Sequence, residues 1–99
     1  MNPLFAEPPN LVEAVPRNDY VVYLRFADGL AADVDLSYLV DLGPVFQPLR
    51  DIEYFRHFRI DEFSVTIEWP NEADIAPDTL YDQVQRAVYE RRVREAAGG

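Results

Sequence analysis

The chain has 99 residues, of which 48% are hydrophobic and 13% aromatic; that is one domain with enough apolar surface for a core, and it excludes a wholly disordered chain. Eighteen Asp and Glu face nine basic residues, every one an Arg, for a formal charge of −9. A body this acidic repels nucleic acid and anionic lipid and favours a basic partner, unless its charge serves solubility alone.

Cysteine is absent, which removes disulfides, thiolate metal sites and thiol nucleophiles and fits a reducing cytoplasm. Apolar runs reach only a few residues, against about 20 needed to span a bilayer. Residues 1–10 hold three prolines and no Lys or Arg. They read as an irregular arm rather than a signal or transit peptide.

Leu11 to Val15 is a candidate strand ended by Pro16, and Arg17-Asn18-Asp19 is a turn. Tyr20 to Phe26 is the clearest strand, rich in β-branched and aromatic residues, with Tyr20, Val22, Leu24 and Phe26 on one face. Asp28-Gly29 predicts a hairpin. In the return strand Leu30, Ala32, Val34 and Leu36 face the core, while Ala31, Asp33 and Asp35 face water.

Ser37 to Gln47 reads as a helical turn and loop, and Asp51 as the N-cap of a short helix through Phe55. Phe58–Ile60 and Ser64–Trp69 are a fourth and a fifth strand. In the fifth, Val65, Ile67 and Trp69 point inward and Ser64, Thr66 and Glu68 outward. Pro77 opens a helix to about Ala96, with Leu80, Tyr81, Val84, Ala87 and Val88 at helical spacing. Gly98-Gly99 is a frayed end.

The predicted fold is α+β: an antiparallel sheet of about five strands, a short helix between hairpin units, and a longer C-terminal helix on one sheet face. The predicted organisation is an arm over 1–10, one domain over 11–84, and a charged helical extension over 85–99. Residues 83–99 hold four Arg and two Glu, a net +2, which leaves −11 for residues 1–82.

The stretch from Leu11 to Val84 resembles the bacterial domain-of-unknown-function 2442 family. The carrying segments are "YLRFADG", "DVDLSYL", "PVFQPLRDIEYFRHFRI" and above all "VTIEWPNEADIAPDTLYDQV". Glu72 departs from the pattern, since many members carry Gly after the Asn. The resemblance implies an α+β fold with a mostly antiparallel sheet and no assigned enzymatic activity. Some members look like halves of toxin–antitoxin modules, encoded beside a small basic toxin-like protein.

No residue emerges as catalytic, cofactor-binding or metal-ligating. His57 is the single histidine; it lacks the neighbours that a base or a metal site needs and reads as a surface or half-buried side chain. Asp28, Asp33 and Asp35 lack calcium-loop spacing and read as solvated strand residues. Asp74 and Asp78 could act as hydrolytic acids, but they read more simply as helix caps, with Asn71 permitting a left-handed turn.

The interaction candidates are Tyr23 and Arg25 on the outer strand face and Arg86, Arg91, Arg92 and Arg94 on the last helix. The leading expectation is an acidic protein-interaction domain, antitoxin-like, that neutralises a small basic protein and forms a weak homodimer through its last helix. The alternatives are a ligand-binding or hydrolytic domain using Asp74 and Asp78, and a nucleic-acid binder acting through the Arg-rich helix.

Overall fold

The computed structural model describes residues 8–62 and 65–97. The expected arm up to residue 7, the orientation of Ser64 and the Gly98-Gly99 end lie outside the described residues. Strands β1 (Leu11–Pro16), β2 (Val21–Phe26) and β3 (Ala31–Asp35) form an antiparallel sheet in the order β1-β2-β3. Arg17 to Tyr20 turns the chain between β1 and β2, with Asp19 in the left-handed region at φ 52°. Aspartate is among the residues that tolerate that conformation.

The second turn follows the Asp-Gly signal. Gly29 N–H donates to the Phe26 carbonyl, Phe26 N–H donates to the Leu30 carbonyl, and Gly29 takes φ 90°. This is a three-residue hairpin loop with glycine at its left-handed position. Val22, Leu24, Phe26, Ala32, Val34 and Leu36 are buried and Tyr20 packs against them. Strict alternation thus sends one face of the hairpin into the core.

The second half departs from the expected single sheet. The chain leaves β3 through two 3-10 helices, Ser37–Asp41 and Pro44–Arg50, and then α1 (Ile52–Phe55). The Asp51 carboxylate accepts the Glu53 N–H at 3.0 Å, which is the predicted N-cap. Strands β4 (Arg59–Ile60) and β5 (Ile67–Glu68) pair only with each other, so the five strands divide into a sheet of three and a ribbon of two.

The expected strand Ser64–Trp69 fails to extend because Val65 sits at φ 52°, outside the strand region. Ile67 and Trp69 point inward as predicted, but beside the break the predicted facing fails at two residues. Thr66 is buried, with its hydroxyl donating to the Ile75 carbonyl at 2.6 Å, while Val65 is only half-buried. The left-handed residue of the following turn is Glu72 (φ 69°), not Asn71. Glycine would have least to lose in that conformation. Asn71 serves the turn through its side chain instead, accepting the Ala73 N–H and donating to the Val45 carbonyl.

Helix α2 (Pro77–Ala97) buries Leu80, Val84 and Val88 and packs beside β3. Every residue from Tyr89 to Ala97 is exposed, so the charged end of α2 adds no buried side chain to the core. Under the other end of the sheet, Tyr20, Phe55, Phe58 and Trp69 form an aromatic cluster, with ring centroids 4.8 Å apart for Tyr20–Phe55 and 5.7 Å for Phe55–Trp69. This cluster ties the three-stranded sheet to α1 and to the chain leaving β5. Among the described residues no helix is long and apolar enough to cross a membrane.

Candidate functional site

The antiparallel register brings Tyr23 opposite Asp33 on the outer face of the hairpin. The turn before β2 sets Arg17 above them, its guanidinium 5.0 Å from the centre of the Tyr23 ring and its Nε 3.5 Å from Asp33 Oδ1. Arg56 Nη1 donates to the Arg17 carbonyl at 2.8 Å and pins that turn from α1. Beyond the edge of β3 runs α2, and between them opens a groove of about 480 Å³. Its walls are Arg17, Tyr23 and Asp33 on one side, residues 29–32 along the strand, and Val88, Arg91 and Arg92 on the helix.

Three guanidiniums against one carboxylate make this groove a positive spot on a chain of charge −9. Arg91 reaches Glu95 only at 3.9 Å, and Arg92 has no carboxylate partner among the described residues. A hydrogen bond at the hairpin tip holds α2 in place: the Tyr81 hydroxyl donates to Asp28 Oδ2 at 2.6 Å. The Tyr81 bond, and then the Leu30 N–H on the other oxygen, hold the Asp28 carboxyl below the usual aspartate range. The same bond to Asp28, followed by desolvation, raises the Tyr81 phenol above its usual value.

The sign of each effect follows from linkage. A depressed carboxyl contributes stability above its unfolded value and loses it as pH falls through the folded one. A raised phenol contributes below its unfolded value and loses it as pH rises through the folded one. Tyr81→Phe is therefore expected to move the Asp28 titration upward, toward that of a free aspartate. Carboxyl-carbon NMR against pH reads this directly; an unmoved midpoint would show that the Tyr81 bond does not hold Asp28.

Of the interaction candidates, the fold gathers Tyr23, Arg91 and Arg92 at the groove and leaves the others outside it. Arg25 is held by Glu13 across the sheet at 3.1 Å, and Arg86 by Asp82 one helical turn back at 2.9 Å. Arg94 is exposed on the far part of α2. The residue that sequence reasoning missed is Arg17. Its only signal was a place in the turn feeding the strand of Tyr23, because the partners that give it meaning lie far along the chain.

The remaining candidates are occupied locally. His57 Nδ1 donates to the Glu53 carbonyl at 2.6 Å, so the ring serves the end of α1. Asp78 accepts the Thr79 N–H in the first turn of α2, as expected of a capping residue. Asp74 does not cap the helix; its backbone bridges to Glu68. Both carboxylates are exposed. No group of three or more His, Cys, Asp or Glu able to hold a metal ion forms among the described residues.

A family model described as a protein of unknown function (DUF2442) matches residues 11–86. The chain belongs to that family. The match in this DUF2442 chain runs from the first residue of β1 into the first half of α2. The aromatic cluster and the hairpin lie inside it, while Val88, Arg91 and Arg92 lie beyond it. Neither a curated protein nor a solved structure matches the chain.

Proposed function

We propose that this domain acts by protein–protein contact, as the acidic member of a pair whose other member is a small basic protein, in the manner of an antitoxin. One observation carries this reading. The acidic side chains at the start of α1 and on the turn into α2 are exposed and have no ion-pair partner among the described residues: Asp51, Glu53, Glu72, Asp74 and Asp78. The two segments are held together by Asn71, whose N–H donates to the Tyr54 hydroxyl oxygen at 3.0 Å. The Asn71 side chain reaches the carbonyl of Val45, itself an exposed apolar residue.

Exposed carboxylates together with an exposed valine suit a basic partner. The charges steer encounter and set specificity, and apolar contact adds affinity. Pairing with a partner's Lys or Arg costs nothing in broken ion pairs on this side. The test is co-purification from the native host, with wild type beside the triple variant Glu53→Lys, Glu72→Lys, Asp74→Lys. A small basic protein retained by wild type, released by salt and absent from the variant is the expected result. No basic protein on wild type, or equal retention by the charge-reversed variant, refutes the reading.

A further inference from the structure

We propose that the groove beside β3 is a second binding site, for an extended peptide segment bearing carboxylate side chains, taken up as a fourth strand of the sheet. The site is separate from those acidic side chains and does not depend on a basic partner. The backbone supplies the first argument. Leu36 N–H donates to the Tyr20 carbonyl and Phe26 N–H to the Leu30 carbonyl, which fixes the phase of the hairpin ladder. In an antiparallel pair the bonded positions alternate. Leu30, Ala32, Val34 and Leu36 therefore turn their N–H and C=O groups toward β2. The backbone groups of Ala31, Asp33 and Asp35 turn the other way.

On that other side no strand follows, since β3 ends the sheet. The groove opens along residues 29–33, so it supplies space where the edge amides of Ala31 and Asp33 point. Natural sheet edges are usually blocked by a bulge, a proline, a charge or a covering segment. Here the ladder between β2 and β3 runs without a register shift, Asp33 is engaged by Arg17, and α2 packs along β3 but leaves the edge open at the groove. A volume of about 480 Å³ is in the usual range for ligand clefts. An extended peptide offers N–H and C=O groups at strand spacing, which is what an open edge requires.

Charge selects among peptides. Side chains of an added strand alternate, some toward Arg17 and Tyr23 and some toward Val88, Arg91 and Arg92 on α2. Guanidiniums stand on both walls, and Val88 adds an apolar patch. Carboxylates satisfy the guanidiniums by charge-assisted hydrogen bonds. A nucleic-acid strand suits the groove less well. It brings a charge with every nucleotide into the field of a −9 chain, whereas a peptide with two carboxylates interacts mostly within the roughly 8 Å over which salt leaves attraction intact. One face of the Tyr23 ring already carries Arg17, and a nucleic acid lacks the strand-spaced amides.

The test uses the full chain, labelled with nitrogen-15, and a capped five-residue probe of alternating valine and glutamate. Three controls accompany it: the same probe with glutamine for glutamate, the same probe with alternate backbone nitrogens methylated, and a ten-nucleotide thymidine strand. The expected result is saturable shifts centred on the Ala31 and Asp33 amides, whose hydrogen exchange slows about tenfold or more at saturation, the mark of a formed ladder. Arg92→Glu and, separately, Arg91→Glu should each weaken the probe about tenfold or more, with unchanged melting because both side chains are exposed. The glutamine and methylated probes should bind weakly or not at all. Binding that ignores both arginine variants, or shifts that spare Ala31 and Asp33, would overturn the proposal. So would equal binding of the methylated probe, preference for the thymidine strand, or concentration-dependent dimerisation that buries the β3 edge and excludes the probe.

Discussion

Trp69→Ala is expected to destabilise the domain by about 3–5 kcal/mol, the usual range for an aromatic ring cut from a core. Trp69 is fully buried, and its ring packs against Phe55 and Phe58. The indole Nε1 donates to the Phe55 carbonyl at 2.8 Å, so truncation also leaves that carbonyl without its donor. Phe55 in turn packs on Tyr20, whose hydroxyl donates to the Leu49 carbonyl at 2.7 Å. One side chain therefore sits under the junction of sheet, 3-10 helix, α1 and the β4–β5 ribbon. A loss this large approaches the whole stability of a small domain. Trp69→Phe keeps most of the ring and removes the N–H, and should cost less. Urea unfolding followed by circular dichroism measures both. A cost below about 1 kcal/mol for the alanine variant would contradict the packing described.

Thr66→Val should cost about 1–3 kcal/mol although it preserves shape and adds apolar character. The Thr66 hydroxyl is buried and donates to the Ile75 carbonyl at 2.6 Å. Beside it, Ile75 N–H donates to the Ile67 carbonyl at 3.4 Å, a long bond. The hydroxyl is thus the short link between the end of the ribbon and the chain approaching α2. Valine fills the space and leaves a buried carbonyl unpaired, an asymmetry that makes the loss larger than the net worth of the bond. Thr66→Ser keeps the donor and loses a methyl group, so serine should be the milder change. The same unfolding measurement decides: a valine variant as stable as wild type would mean that the Ile75 carbonyl finds another donor.

Local chemistry was enough for the hairpin. Alternation from Tyr20 to Leu36 around Asp28-Gly29 specified both strands, their turn and their buried face. Asp51 marked the start of α1 and Pro77 that of α2, because caps and proline act on the backbone beside them.

The tertiary structure decided the rest. Division of the strands into two sheets, burial of Thr66 and the left-handed Glu72 are features of the turns on either side of β5, which set Trp69 against Phe55. Alternation along six residues placed Ile67 and Trp69 inward but could not show the positive φ at Val65, beside which Thr66 and not Val65 is the buried side chain. The groove was still less legible. Tyr23, Arg91 and Arg92 were visible as candidates, but Arg17 joins them only because β3 places α2 beside the hairpin edge. Periodicity and turn residues report interactions between near neighbours along the chain, whereas a site built from a turn, a strand edge and the end of a helix depends on packing between segments far apart in sequence.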